Sequence, residues 1–438
     1  MYANVIIQYG NKAVDREYTY VVPTSFRNKI KVGHRVKIIF NNKEIEGFVV
    51  RLFDNYDGEY NLNEIVSLVD DEPILNEEML YIANSICEKT LCSKISSYQA
   101  MLPKALKASE NTNIGIKKNR YIVLNVSESV VYEYISNCRY ENQKNILNEL
   151  LDKGRLLVKN KVSSIDTLIN KGIIKYVYED IYRYNTNASG RYKIVELNKE
   201  QSDVVNSISL LNHDTYLLYG VTGSGKTEVY MELIDRVLKM GKTAIMLVPE
   251  ISLTPQIVDR FVTRFGLNVA ILHSGLSDYE KYDEYRKIME GKVKIVVGAR
   301  SAIFAPLKDL GIVVIDEEHT ATYKQDNHPR YNAKDVAIIR GKYNNCPVLL
   351  GSATPSLESF ARAQKGVYKL LELKTHSGSS DYNLTEFEDT WEDSYWKLFF
   401  DETSILNILW KEPKSGSKNG ERILEGVNKI SFNDDDLD

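Results

Sequence analysis

The run Gly220-Val221-Thr222-Gly223-Ser224-Gly225-Lys226-Thr227 constrains this chain more than any other feature in it. It has the form G-x-x-x-x-G-K-[ST]. An apolar stretch, Thr215-Tyr216-Leu217-Leu218-Tyr219, enters it, and Tyr230, Leu233, Ile234 and Val237 leave it at helical spacing. Strand, glycine-rich turn and helix in that order make an anion cradle. Backbone N–H groups line the turn and the helix N-terminus favours negative charge. Gly220, Gly223 and Gly225 shape such a loop, Lys226 reaches the β and γ phosphates of a nucleotide, and Thr227 ligates Mg²⁺.

The loop sits in an alternating stretch. From 198 to 374, strand candidates lie at Tyr216–Tyr219, Ala244–Val248, Val269–Leu272, Ile295–Val297, Ile312–Ile315 and Val348–Leu350, with helical patterns between most of them. Near-continuous apolar runs fit parallel strands covered on both faces, so this part is an α/β lobe. One strand candidate ends in Asp316-Glu317-Glu318-His319. Ligands of α/β sheets lie at such strand ends, which places Asp316 to hold Mg²⁺ and Glu317 to orient the attacking water. Gln201 lies 19 residues before the loop, and its amide can pair with an adenine edge. Gly351-Ser352-Ala353-Thr354-Pro355 offers the hydroxyls of Ser352 and Thr354 beside the γ-phosphate. Gly298-Ala299-Arg300-Ser301-Ala302 offers a guanidinium suited to a phosphodiester. ATP with Mg²⁺ is the expected cofactor.

Residues 1–73 read as β-rich, with short runs at Val5–Ile7, Tyr18–Val22, Val36–Phe40 and Glu46–Val50 between turn signals. A helical run follows over 75–108. In 141–183, two helical patterns precede the alternating run Gly172–Tyr178, and Ser163 with Asp166 resembles a capping pair. A winged helix fits this order, and so does a generic α+β linker whose charges are merely solvated. Net charge helps only when divided. The whole chain carries −4, which alone argues against nucleic acid. Residues 1–374 carry +5, and 111–197 hold 14 Lys+Arg against 9 Asp+Glu, whereas 375–438 carry −9 and all three tryptophans.

Four cysteines, Cys87, Cys92, Cys138 and Cys346, make neither a disulfide scaffold nor a C-x-x-C pair, so they read as idle thiols and zinc is not expected. No stretch approaches the ~18 apolar residues of a membrane span, and the N-terminus lacks a signal-peptide core. A soluble, cytoplasmic chain with no membrane partner is expected.

Taken together these motifs resemble superfamily 2 helicases, and within them the primosomal protein N′ (PriA) family of bacterial replication-restart helicases. The resemblance rests on Tyr219–Thr227, Leu247–Gln256, His273-Ser274-Gly275, Gly298–Pro306, Asp316–His319, Tyr323-Lys324-Gln325 with Pro329-Arg330-Tyr331, and Gly351–Ser356. It implies a RecA-like helicase lobe over 198–374, a β-rich domain binding the 3′ end of DNA over 1–105, and a winged helix over 111–190. It implies ATP-dependent 3′→5′ unwinding of branched DNA at stalled forks, with primosome or single-strand-binding proteins as candidate partners. It also puts Tyr323, Lys324, Arg330 and Tyr331 on an aromatic-rich loop that senses single-stranded DNA, Arg300 on DNA, and Tyr20 in the 3′-end pocket.

The chain departs from the family at three places. Tyr18-Thr19-Tyr20 and Phe40-Asn41 stand where the family has an aromatic-Asp-Tyr run and a glycine. After residue 300 the only glutamines are Gln325 and Gln364, so a Gln-x-x-Gly-Arg-x-Gly-Arg motif is missing, as are the eight zinc cysteines of the family's second lobe. Residues 375–438 read as an acidic appendage or as the product of a frame interrupted near codon 375. The expectation is a chain that binds Mg-ATP and forks but hydrolyses slowly. The alternative is a non-translocating fragment that binds both.

Overall fold

Alternating β-branched and aromatic residues at the N-terminus form β1 (Tyr2–Ile7), β2 (Tyr18–Val21), β3 (Arg35–Phe40), β4 (Lys43–Phe53) and β5 (Ile65–Leu68). In the computed structural model these make one antiparallel sheet in the order β2-β1-β4-β3-β5. The structure describes residues 1–58, 61–109, 115–160, 162–184, 196–375, 397–401 and 404–409. The expected helical run over 75–108 is two helices, α1 (Glu77–Thr90) and α2 (Lys94–Met101). Leu91, in the left-handed region at φ 52°, ends the first, and Ser93 caps the second.

The next segment holds β6 (Lys118–Leu124), α3 (Glu128–Asn137), α4 (Glu141–Lys153), β7 (Arg155–Leu157), α5 (Ser163–Asn170) and β8 (Ile174–Asp180). Its three helices pack beside an antiparallel sheet in the order β7-β6-β8. The run expected as a ribbon after the helices is β8, and its partner β6 comes from before them. Ser163 is the first residue of α5, and its cap position is Val162 with no side-chain bond, which corrects the expected Ser163–Asp166 cap.

The third unit alternates helix and strand with one exception, Ile295–Gly298 and Leu310–Ile315, which only the 3-10 turn Arg300–Phe304 separates. It runs through α6 (Lys199–Ser207), β9 (Thr215–Gly220), α7 (Lys226–Lys239), β10 (Thr243–Leu247), α8 (Pro255–Phe265), β11 (Val269–Leu272), α9 (Asp278–Met289) and β12 (Ile295–Gly298). It continues with β13 (Leu310–Ile315), α10 (Ala333–Asn344), β14 (Val348–Ser352), α11 (Leu357–Gln364) and β15 (Lys369–Leu373). Seven parallel strands lie in the order β11-β12-β10-β13-β14-β9-β15. All six strand candidates of 198–374 are present, and β15 is an addition: its exposed, charged residues mask the apolar signal. Two apolar layers cover the sheet, one built around α7 and α8. The other joins α9 and α10 to the N-terminal helices through Met79, Ile82 and Ile86.

That second layer ties the N-terminal sheet to the lobe. Arg340 of α10 makes a buried bidentate pair with Glu78 of α1, at 2.7 and 3.0 Å, and donates to the carbonyls of Ile303 and Ala305 at 2.6 and 2.9 Å. Beyond Thr375 the described residues form β16 (Lys397–Asp401) paired antiparallel with β17 (Ser404–Leu409). The expectations placed on Trp391, Trp396 and Trp410 lie outside the described residues. No helix among the described residues is long and apolar enough to cross a membrane.

Candidate active site

Strand order brings the motifs together. The phosphate loop follows β9, Asp316 follows β13, and β14, which ends in Gly351-Ser352, lies between them. Three loops from adjacent parallel strands therefore meet at one end of the sheet, the place where α/β sheets bind ligands.

Gly223 and Gly225 both adopt φ +82°, and α7 begins at Lys226, so the loop turns its backbone toward the helix N-terminus as an anion nest requires. The Lys226 Nζ folds back on the carbonyls of Gly220 and Val221 at 2.7 and 3.5 Å. Burial lowers its pKa, against the opposing pull of Glu317 and Asp316. Ser224 Oγ is buried without a hydrogen-bond partner among the described residues. The Thr227 side chain is partly buried at the first turn of α7.

Asp316 is held from two sides. Its N–H donates to Leu247 of β10 at 2.9 Å, and its Oδ1 accepts from the Tyr230 hydroxyl at 3.0 Å. Burial raises its pKa and the neighbouring Glu317 raises it further, while Tyr230 and Lys226 work against both. A carboxylate kept costly in this way gains from a cation beside it. Glu317 itself sits at φ +46°, an uncommon conformation for a residue with a side chain, and lies 3.6 Å from His319 Nδ1. Gly351 is needed for close approach, because a Cβ there would fall 1.7 Å from the Tyr230 hydroxyl.

Several side chains expected to face a ligand are instead engaged by the protein. The Gln201 amide donates to the Ser224 carbonyl at 2.9 Å and accepts from the Asn198 N–H at 3.0 Å. One N–H and one lone pair of the buried amide are used in this way, so in this structure Gln201 caps α6 and props the phosphate loop. Ser352 is buried, hydrogen-bonded to His319 Nδ1 at 2.8 Å and to the Thr354 N–H at 3.0 Å, whereas the Thr354 side chain is exposed.

Tyr323 and Tyr331 are likewise buried, at 1% and 3% exposure, and offer no face for a base to stack on. The Tyr323 hydroxyl donates to the Asp316 carbonyl at 2.6 Å, and Tyr331 packs edge-on against Phe304 with centroids 4.8 Å apart. Tyr20 is buried in the N-terminal sheet with its hydroxyl on the Ile39 carbonyl at 3.2 Å. The charged members of the set behave differently. Lys324 and Arg330 are exposed on a short turn pinned by Gln325 N–H to the Tyr331 carbonyl at 2.9 Å. Arg300 braces that turn by donating to the Lys324 and Thr322 carbonyls at 2.8 and 3.3 Å.

Sequence reasoning missed two groups. Tyr230 lies four residues after Lys226, a spacing that marks a core face and gives no hint of a bond to Asp316. Glu318 ties the end of its strand to the starts of α10 and α11: it accepts from Lys334 at 2.7 Å, the Ser356 N–H at 2.7 Å, and the hydroxyls of Ser356 and Ser359 at 3.1 and 2.8 Å. Burial opposes its charge, but these donors outweigh it and hold its pKa below the usual value.

Two family models match. Residues 198–363 match the DEAD/DEAH box helicase model and residues 4–103 the 3′DNA-binding domain (3′BD) model of PriA. The chain is 39% identical to the replication restart protein PriA of Bacillus subtilis, over 85% of this chain and 56% of that protein. It is 31% identical to that of Chlamydia muridarum over 93% of this chain and 56% of the relative, and 46% identical to that of Haemophilus influenzae over 42% and 25%. The chain thus spans about half the length of the curated relatives it matches along most of its own length. With a 3′ DNA-binding region joined to a helicase lobe, it belongs to the PriA family of replication restart proteins.

Proposed function

We propose that residues 198–374 bind Mg²⁺-ATP and use it as the first lobe of a 3′→5′ DNA helicase that acts on forked DNA in replication restart. The observation that carries this reading is the convergence of Lys226, Thr227, Asp316 and Glu317 at one end of the parallel sheet. The residues present suit the nucleotide: two left-handed glycines, a buried Ser224 hydroxyl with no partner among the described residues, and a lysine resting on the Gly220 carbonyl. The bound nucleotide supplies the transferable phosphoryl group and its Mg²⁺ neutralises charge. Lys226 and the loop N–H groups would hold the phosphates, Thr227 and Asp316 would hold the metal, and Glu317 would orient the attacking water. Tyr230 fixes the rotamer of Asp316, and Tyr323 fixes its backbone.

Lys324, Arg330 and Arg300 lie together on the lobe surface and supply phosphate contacts to single-stranded DNA. Because Tyr323 bridges that turn to the Asp316 carbonyl, DNA on the turn bears on the metal-binding strand end. Unwinding polarity and fork preference rest on family membership alone. Competition between a labelled fork carrying a free 3′ end and blunt duplex tests the DNA half. A fork preference of about tenfold or more is expected, and equal affinity contradicts the reading.

A further inference from the structure

Cys87 occupies the last turn of α1 and Cys92 the turn that leads into α2. Leu91, in the left-handed region, sends its N–H back to the Cys87 carbonyl at 2.8 Å and so reverses the chain between them. The result is two thiols with sulfur atoms 3.8 Å apart, both only partly buried. Ser97 lies on Cys87, its Oγ 3.4 Å from the sulfur. Lys94 fastens α2 to Asp15 through its N–H at 3.0 Å, so the turn is held against the N-terminal sheet. Among the described residues no third Cys, His, Asp or Glu completes a metal site here.

We propose that Cys87 and Cys92 form a dithiol site that closes to an intramolecular disulfide by exchange with low-molecular-weight disulfides. A disulfide needs its sulfurs at about 2.05 Å, an approach of roughly 1.8 Å that a rotation about the Cα–Cβ bonds of these half-buried residues can supply. The two sulfurs share one hydrogen bond, which draws the Cys92 pKa down to about 6 and pushes that of Cys87 up. Cys92 is therefore the attacking thiolate.

The exchange balances. The Cys92 thiolate attacks one sulfur of the small disulfide, whose S–S bond breaks and releases one thiolate with the electron pair. Cys87 gives up its proton to solvent and attacks the Cys92 sulfur, expelling the second thiolate. Two protein thiols are oxidised and one small disulfide is reduced to two thiols. The ring so closed spans the helix terminus that, at its other end, carries Glu78 to Arg340.

The test uses the full chain, reduced and then equilibrated with glutathione buffers of graded ratio, followed by thiol counting and peptide mapping. The free thiol count should fall from four to two, with Cys87 linked to Cys92 and no glutathione retained. Cys87→Ser should trap glutathione on Cys92, and Cys92→Ser should react about tenfold more slowly or worse. Cys138→Ser, remote from the pair, should still close the disulfide. Phenylarsine oxide, which needs two adjacent thiols, should bind one-to-one and lose its site in either single variant. Retention of all four thiols in the most oxidising buffer, or only inter-chain and mixed disulfides in the wild-type chain, would overturn the proposal.

Discussion

The phosphate loop and the segment 316–331 leave the same end of the same sheet, yet they handle their motif residues in opposite ways. The loop turns through Gly223 and Gly225, both at positive φ, and rests the Lys226 ammonium on the Gly220 carbonyl. The segment turns its aromatic residues inward, with Tyr323 under Asp316 and Tyr331 against Phe304, and leaves only Lys324 and Arg330 outside. In the proposed function one motif meets the ligand, and the other mostly holds the residue that does. A motif at a strand end is thus a statement about a site, and each residue's role within it has to be read from burial.

If Tyr323 is a strut, its removal is first a stability defect. Tyr323→Ala should cost about 3–5 kcal/mol in chemical denaturation, the range for emptying a buried aromatic position. Tyr323→Phe keeps the packing and should cost only about 1 kcal/mol while lowering nucleotide affinity, since the bond to the Asp316 carbonyl is lost. A Tyr323→Ala variant as stable as wild type but weak on single-stranded DNA would reverse the roles assigned here.

On the loop side, Gln201 is the internal prop. Gln201→Ala removes half of a capping box and the bond to the Ser224 carbonyl, so a loss of about 1–2 kcal/mol is expected, with weakened nucleotide binding of any base. Selective loss of ATP against GTP would instead show the amide reading the adenine.

Glu318 gives a pH signature. Its folded pKa lies below the unfolded one, so the stability it contributes is full above the unfolded value of 4.5 and is lost as pH falls through the folded value. Lys334→Met should shrink that acid dependence, seen as a smaller fall in Tm between neutral pH and pH 4. An unchanged profile would remove Glu318 from the framework of the site.

The smallest stability effects belong to the outward charges. Lys324→Ala and Arg330→Ala should each change stability by less than about 0.5 kcal/mol. Each should reduce the salt dependence of single-strand binding by about one counterion.

The nucleotide end was readable in the sequence because its physics is local: glycine conformations, an apolar entry strand and a helix start all fall within one short run. Asp316 was readable for the same reason, as a charge ending a buried strand. Tyr230, Glu318 and the inward turn of Tyr323 and Tyr331 were not, because each depends on which strands become neighbours. The dithiol was hidden in the same way, since five residues of spacing say nothing about a left-handed Leu91 folding one thiol over the other. In the N-terminal sheet the strands followed from alternation, whereas Tyr20 proved to be core, since alternation alone does not separate a pocket wall from a packed face. The helix pairing Glu78 with Arg340 across more than 250 residues left no local mark.

The end of the parallel sheet is proposed to bind Mg²⁺-nucleotide through Lys226. Titration of a fluorescent ATP analogue into the wild-type chain and Lys226→Ala, each with Mg²⁺ and with chelator, tests it directly. Saturable, Mg²⁺-dependent binding by the wild type and a loss of about a hundredfold in the variant are expected. Equal binding by the two chains would contradict the account.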